Sequence, residues 1–338
     1  MGRTFVIAEA GVNHCGSLPR AIRMVEAAAA CGADAVKFQT FRADLLASPA
    51  AATAEYQRAA VGAGSQLEML RALELSEDAH LALAARCLDV GIEFMSTPFD
   101  VESARFLASI GVRRMKIPSG ELTNDGFLGS IAGLGLPVIL STGMATMDEV
   151  RHAVGVVERH GIRGTGSLVL LHCTSSYPTL PGDANLLAIR SIAAATGLPV
   201  GYSDHTLGIQ ASLAAVALGA RVIEKHFTLD RSLPGPDHCA SLTVDECAAL
   251  VKGIREVEEL LGDGEKRPMA SELEVGAVAR RSVAAARPIA AGRKIDAADL
   301  TCLRPGTGIP PSEIGLVVGR TACRDFGAGE LLSWEALG

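Results

Sequence analysis

The chain has 338 residues, 49% hydrophobic and 20% charged, which excludes a disordered or collagen-like polymer and leaves ample material for a buried core. Its 31 Lys and Arg against 38 Asp and Glu give a net charge of −7, which disfavours a nucleic-acid partner needing a broad basic face but still permits local anion binding. No apolar run reaches the roughly 18 residues that cross a membrane, the N-terminus has no secretory pattern, and eight scattered cysteines without a CxxC pair suit a reduced, cytoplasmic chain.

In chain order, short β-rich runs are expected at 4–9, 34–39, 92–96, 112–117, 137–141, 168–173, 199–203 and 221–226. Amphipathic helical stretches lie between them, among them 18–31, 76–90, 100–110, 146–160 and 207–218. A further helix over 243–261 opens on Thr243 as N-cap and stops before Gly262. One junction recurs: a helix ends at Gly and a buried-type strand follows, as in CGADAVKFQ, VGIEFMS, LGLPVILS, TGLPVGYS and LGARVIEKH. Such repetition means parallel strands joined by helical crossovers. Eight of these units in about 260 residues predict a (β/α)8 TIM barrel over 1–262. The rival is an open doubly wound sheet, but no GxGxxG turn follows an early strand and no Walker sequence appears. The 40–75 segment exceeds an ordinary loop and is expected to fold over the barrel mouth. Residues 263–276 are polar with Gly and Pro and read as a linker. The tail, 277–338, reads as a small, mostly β domain with a thin core that docks on something else.

Barrel strands aim their C-terminal ends at one face, where chemistry is carried. Polar residues gather there: Glu9, Asn13 and His14; Lys37 and Gln39; Ser96 and Thr97; Lys116, Ser119 and Glu121; Ser141 and Thr142; His172, Thr174, Ser175 and Tyr177; Ser203, Asp204 and His205; Glu224, His226, Asp237 and His238. Lys37 and Lys116 interrupt apolar runs, where an unpaired ammonium is expensive, so they imply an anionic ligand or acidic partners. His205 and His226 end neighbouring strands and suit a metal pair. A two-histidine site leaves positions for water or substrate oxygens, which fits Mn²⁺ or Mg²⁺ better than Zn²⁺. His172 reads equally as a packing residue or a support for a neighbouring ligand. His14 and His238 are loop residues of open role, and His80, His152 and His160 are expected to face solvent from helices. Ser119-Gly120 opens a turn whose backbone N–H groups can cradle phosphate.

The stretches IAEAGVNHCG, GADAVKFQTF, STPFD, KIPSGELTN, PVILSTGMAT, LHCTSSYPT, GYSDHTLGI, IEKHFTLDR and PGPDHCASL resemble the N-acetylneuraminate (sialic acid) synthase family of phosphoenolpyruvate-dependent nonulosonate synthases. The piece RPGTGI (304–309) resembles the family's C-terminal antifreeze-like, or SAF, domain, so the likeness spans nearly the whole chain. It implies condensation of phosphoenolpyruvate with an open-chain N-acetylated hexosamine, first of all N-acetylmannosamine, with release of phosphate. It also implies Mn²⁺ or Mg²⁺ on His205 and His226. Phosphoenolpyruvate would be received by Lys37, Lys116, Ser119, Ser141, Ser175 and Ser203, and the hexosamine by Glu9, Gln39, Tyr177 and Asp237. Arg304 would reach the sugar's N-acetyl group in the partner barrel of a domain-swapped homodimer. Glu121, Lys116 and Glu9 are the implied catalytic groups. Ser175 departs from the pattern, since some members carry Asn there. PGPDH favours the sialic or legionaminic branch over the pseudaminic one, which more often reads GGPDS.

Two other readings are weaker. A barrel condensing phosphoenolpyruvate with a phosphorylated aldose would not need the SAF tail. A non-catalytic sugar-binding barrel would be expected to lose Lys116, Glu121 or one histidine, and all are present. No flat threonine array suggests ice binding.

Overall fold

The computed structural model describes residues 2–48, 65–162, 164 and 166–338. The chain divides into two units, Met1–Asp263 and Gly264–Gly338. The first alternates strand and helix: β1 (Phe5–Gly11), α1 (Leu18–Ala30), β2 (Ala35–Thr40), α2 (Glu77–Val90), β3 (Glu93–Pro98), α3 (Val101–Ser109), β4 (Met115–Ile117) and α4 (Asp125–Ala132). It continues with β5 (Val138–Ser141), α5 (Met147–Arg159), β6 (Leu168–Cys173), α6 (Ala188–Thr196), β7 (Val200–Asp204), α7 (Gln210–Ala217), β8 (Val222–His226) and α8 (Val244–Leu261). The strands are all parallel and hydrogen-bond in the order β3-β2-β1-β8-β7-β6-β5-β4, and the two ends of that order, β3 and β4, lie side by side. The sheet therefore curls into the expected barrel.

Local chemistry sets the helix starts. Ser17, Ser76, Asp100, Asn124, Thr146 and Thr243 each accept a backbone N–H of the first turn, satisfying a donor that the helix itself leaves free. Gly91 and Gly197 close α2 and α6 at φ 77° and 68°, a left-handed conformation that side chains with a Cβ resist. Strand β4 is shorter than the predicted 112–117, because the Val112 N–H turns back to Leu107 and finishes the helix end instead.

Strand pleating then decides what the barrel holds. Ile7, Ala35, Met95, Ile139, Leu171 and Val222 form one apolar layer inside it. Two residues further along the same strands, on the same face, stand Glu9, Lys37, Thr97, Ser141, Cys173 and Glu224. The interior changes from hydrocarbon to charge within one step of the pleat. The opposite strand faces pack on the helices, with Val6, Ala8, Val36, Phe38, Leu140, Leu170 and Ile223 in that outer core.

His80 is a correction. It does not face solvent from α2 but is buried, bonding Thr40 Oγ1 through Nε2 at 2.8 Å and the Ser76 carbonyl through Nδ1 at 2.9 Å, with the Phe94 and Phe106 rings edge-on. His152, by contrast, is exposed and pairs with Asp125, and His160 is exposed. His172 is a packing residue: it stacks on Tyr202 at 5.7 Å and bonds the Ala184 carbonyl at 2.9 Å. Of the 40–75 segment, residues 49–64 lie outside those described. Its flanking residues Phe41, Leu46, Met69, Leu70 and Leu73 pack with Val12 and Phe99, just past the ends of β1 and β3.

The second unit carries an antiparallel pair, β9 (Ser282–Ala285) and β10 (Leu300–Leu303), with isolated bridges such as Ile289 to Phe326. Its core is less thin than its composition suggests. Val283, Ile289, Ile295, Ile309, Val317, Phe326 and Leu332 are buried together, and buried Asp299 takes Arg287 at 2.6 Å and Arg293 at 3.1 Å.

Candidate active site

The charged layer floors a cleft of about 250 Å³ at the C-terminal ends of the strands. Lys37 from β2 lies 2.5 Å from Glu9 of β1 and 3.6 Å from Glu224 of β8, and it donates to Thr97 Oγ1 at 2.8 Å. Lys116 from β4 donates to Ser141 Oγ at 2.7 Å and lies 3.7 Å from Glu224. Ser203 from β7 donates at 2.8 Å to Glu224 Oε1, the same oxygen that faces Lys116. All four charged groups are buried. Each lysine thus has an acidic partner in the protein, which spares it the cost of an isolated buried charge.

The two carboxylates differ. Burial pushes Glu9 up to about 8 despite Lys37 alongside. Burial acts the same way on Glu224, but Lys116, Lys37 and the Ser203 hydroxyl outweigh it and hold that carboxyl at about 2. Burial works against the Lys37 charge too, yet Glu224 and Glu9 keep its ammonium above the ordinary value. Lys116 is lowered, by burial first, against the attraction of Glu224. With Lys37 charged and Glu224 ionised, Glu9 is the member of the ring that takes up a proton most readily. Two cations then face one firm anion, leaving the cleft receptive to an added anion.

Beside this ring, Ser119 Oγ accepts the Gly143 N–H at 2.9 Å and sits 3.2 Å from Cys173 Sγ. A side chain at residue 143 would press on Ser119 Oγ at 2.9 Å and Cys173 Sγ at 3.0 Å, and on Ser175, so glycine lets these three side chains gather against that backbone. Gly143, Ser119 and Ser175 form a small polar cradle next to Lys116 and Ser141.

The histidines converge as predicted. The His205 and His226 rings are 5.8 Å apart, and Tyr177 stands 4.2 Å from the first and 5.9 Å from the second. His205 Nδ1–H donates to the Thr174 carbonyl at 2.7 Å, which leaves Nε2 with its lone pair. His226 Nδ1 is buried without a hydrogen-bond partner among the described residues. Burial holds both imidazoles below their ordinary values, so both are neutral. His205 Nε2 lies 3.4 Å from Ser203 Oγ, whose proton goes to Glu224, so both neutral rings keep a nitrogen lone pair that fits a divalent ion. Among the described residues no cluster of three or more His, Cys, Asp or Glu forms a metal site, so a pair completed by oxygen ligands is the form these residues suit.

Of the fourteen residues to which the resemblance gives a catalytic, substrate or metal role, Glu9, Lys37, Gln39, Lys116, Ser119, Ser141, Ser175, Tyr177, Ser203, His205 and His226 all line this one cleft. Three do not. Glu121 sits in the 3₁₀ turn Ser119–Glu121, where its carboxylate accepts Asn124 Nδ2 at 2.7 Å. Asp237 is buried in the connection from β8 to α8. Arg304 belongs to the second unit, just after β10. Glu224, Thr97 and Cys173 join the cleft although the motifs assign them no role. Strand parity identifies them: Glu224 stands two residues before His226 on β8 and must share its face, whereas Lys225 between them turns outward to Asp204 at 2.8 Å.

The model of the NeuB family matches residues 24–266, and that of the SAF domain residues 280–338. The chain belongs to the NeuB family. Synthases of this family are phosphoenolpyruvate-dependent condensing enzymes of nonulosonic acid biosynthesis, and this chain is one of them. It is 52% identical to an N,N'-diacetyllegionaminic acid synthase of Legionella pneumophila, over 98% of this chain and 94% of that one. It is 44% identical to the N,N'-diacetyllegionaminic acid synthase of Campylobacter jejuni, over 98% of this chain and 99% of that one. A crystal structure of N-acetylneuraminic acid (sialic acid) synthetase from Leptospira borgpetersenii, in complex with citrate, superposes with a TM-score of 0.72 at 38% identity, covering 81% of this chain and 90% of that one. No helix among the described residues is long and apolar enough to cross a membrane, and all eight cysteines are free thiols.

Proposed function

We propose that this chain condenses phosphoenolpyruvate with a 2,4-diacetamido-6-deoxyhexose, yielding a nine-carbon 2-keto acid of the N,N'-diacetyllegionaminic type and inorganic phosphate, in the cytoplasm. The motifs alone put N-acetylmannosamine first. The near full-length likeness to two legionaminic acid synthases supports the diacetamido sugar over it. Phe99 and Met144 are apolar members of the cleft's lining, which supports a 6-methyl group over a 6-hydroxyl. The observation that carries the chemistry is the ring of Lys37 and Lys116 with Glu9 and Glu224, set against two neutral histidines.

Phosphoenolpyruvate brings a phosphate and a carboxylate, and Lys37, Lys116, Ser119, Ser141, Ser175 and Ser203 supply cations and donors for both. Its methylene carbon is a weak nucleophile, so the acceptor aldehyde has to be polarised. His205 and His226 would hold a divalent ion, which when bound would supply that polarisation as a Lewis acid. Gln39, Tyr177, Asp237 and Glu9 orient the acceptor. Carbon–carbon bond formation leaves positive charge at the enol carbon; water adds there and phosphate departs. Glu9, kept protonated because burial pushes its carboxyl up to about 8, is suited to give a proton to the alkoxide formed from the aldehyde, and Glu121 is the candidate to accept the proton from that water. Arg304 is assigned to the sugar's N-acetyl group across a domain-swapped homodimer. Mixing Arg304→Ala with Lys116→Met subunits is then expected to restore activity, whereas no recovery after subunit exchange would assign the tail to its own barrel. Acceptor identity is tested by phosphate release from phosphoenolpyruvate with each sugar in turn. The diacetamido sugar is expected to have the higher kcat/KM, and a preference for N-acetylmannosamine would return the chain to the sialic branch.

A further inference from the structure

Asp237 poses a physical problem. It is only 8% exposed, and among the described residues no hydrogen bond or ion pair to its carboxylate is found, burial being the one influence on it. Burial alone pushes that carboxyl up to about 6. A buried acid without protein partners is costly, and a polar ligand is one way to repay it. Its side chain also has nothing of its own to fix its direction, so any precision must come through the backbone.

The backbone is held from one side. Ser241 Oγ donates to the Asp237 carbonyl at 2.6 Å. Ser241 in turn accepts Asn13 Nδ2 at 2.9 Å, and the same amide donates to the Phe227 carbonyl at 2.9 Å, which fixes the amide's orientation. A second strut runs alongside. His238 Nδ1–H donates to Thr228 Oγ1 at 2.8 Å, Thr228 donates to the Asp230 carbonyl at 3.0 Å, and the Cys15 thiol meets His238 Nε2 at 3.2 Å. Burial pushes the Cys15 thiol up, so it remains a protonated donor. Asn13, Ser241, Thr228 and His238 are all buried. Both struts join the turn after β1, which bears Asn13 and Cys15, to the connection after β8, which bears Asp237. Neither strut touches the lysine ring.

We propose that Asn13, Ser241, Cys15 and His238 are positioning residues that hold Asp237 in register for the sugar acceptor, so that acceptor recognition depends on the β1 turn as well as on the β8 connection. This rests on the reading of Asp237 as an acceptor contact. The struts act on the acceptor and leave phosphoenolpyruvate binding alone.

The test uses the full-length enzyme with phosphoenolpyruvate, Mn²⁺ and the 2,4-diacetamido-6-deoxyhexose. Ser241→Ala is expected to raise the acceptor KM about tenfold or more, as small displacements of a positioned group do, with the phosphoenolpyruvate KM and the melting temperature near wild type. Cys15→Ala is expected to act in the same direction and Cys15→Ser to restore wild-type behaviour, since a hydroxyl keeps the bond to His238. Asp237→Asn is expected to raise the acceptor KM by itself, and the double variant with Ser241→Ala to be no worse than Asp237→Asn alone. A silent Ser241→Ala beside an impaired Asp237→Asn would overturn the struts while leaving the Asp237 reading intact. A silent Asp237→Asn would overturn that reading and the inference with it. Additive effects, or an equal rise in both KM values, would mean that the struts merely support the fold.

Discussion

Lys116→Met is expected to raise the phosphoenolpyruvate KM tenfold or more and to lower kcat, while the protein stays folded. Methionine keeps most of the side chain's apolar bulk but removes the charge and the donor to Ser141. Each charge-assisted bond lost to the ligand is worth about 1.5–3 kcal/mol. Folding is protected because Glu224 does not become an orphan: Lys37 remains 3.6 Å away and Ser203 still donates at 2.8 Å. Lys37→Met is expected to be harsher on stability, since Glu9 loses its cation at 2.5 Å. Steady-state kinetics in both substrates, with thermal unfolding, checks this. Unchanged phosphoenolpyruvate kinetics in both variants would remove the lysines from the binding site.

Exhaustive chelation is expected to abolish turnover, and Mn²⁺ to restore it. His226→Ala is expected to lose Mn²⁺ binding by calorimetry, a readout independent of activity, and to unfold much like wild type, because His226 Nδ1 has no protein partner to forfeit. His205→Ala is expected to disturb the fold more, since that ring also ties down the Thr174 carbonyl at 2.7 Å. Full turnover after chelation would refute a metal requirement.

The barrel was legible because its signals are local and repeated: an N-capped amphipathic helix, a glycine stop, then a buried strand. The cleft was legible because parallel strands deliver their last polar residues to one place, so Lys37, Lys116, His205 and His226 could be grouped from position alone. What escaped depends on neighbours distant in sequence. His80 rides a helix whose pattern does not announce burial, and its partners Thr40, Phe94 and Phe106 arrive from two strands and another helix. Glu224 is placed at the strand ends but given no role: it stands in a run of three ionisable residues, and only the pleat separates it from outward-facing Lys225. Glu121 follows a strand end in sequence, but Asn124, three residues on, takes its carboxylate into a local turn. The second unit's core is assembled from residues spread over Val283–Ala336, with little strand periodicity to reveal it.

Phosphoenolpyruvate and a diacetamido sugar are expected to leave this cleft as one nine-carbon keto acid and one phosphate. Product analysis by mass spectrometry, beside a phosphate assay of the same reaction, tests it most directly. The expected result is an unphosphorylated product whose mass is that of sugar plus pyruvate, formed in a one-to-one ratio with phosphate. Phosphate released without that product, or a product that retains the phosphate, would contradict it.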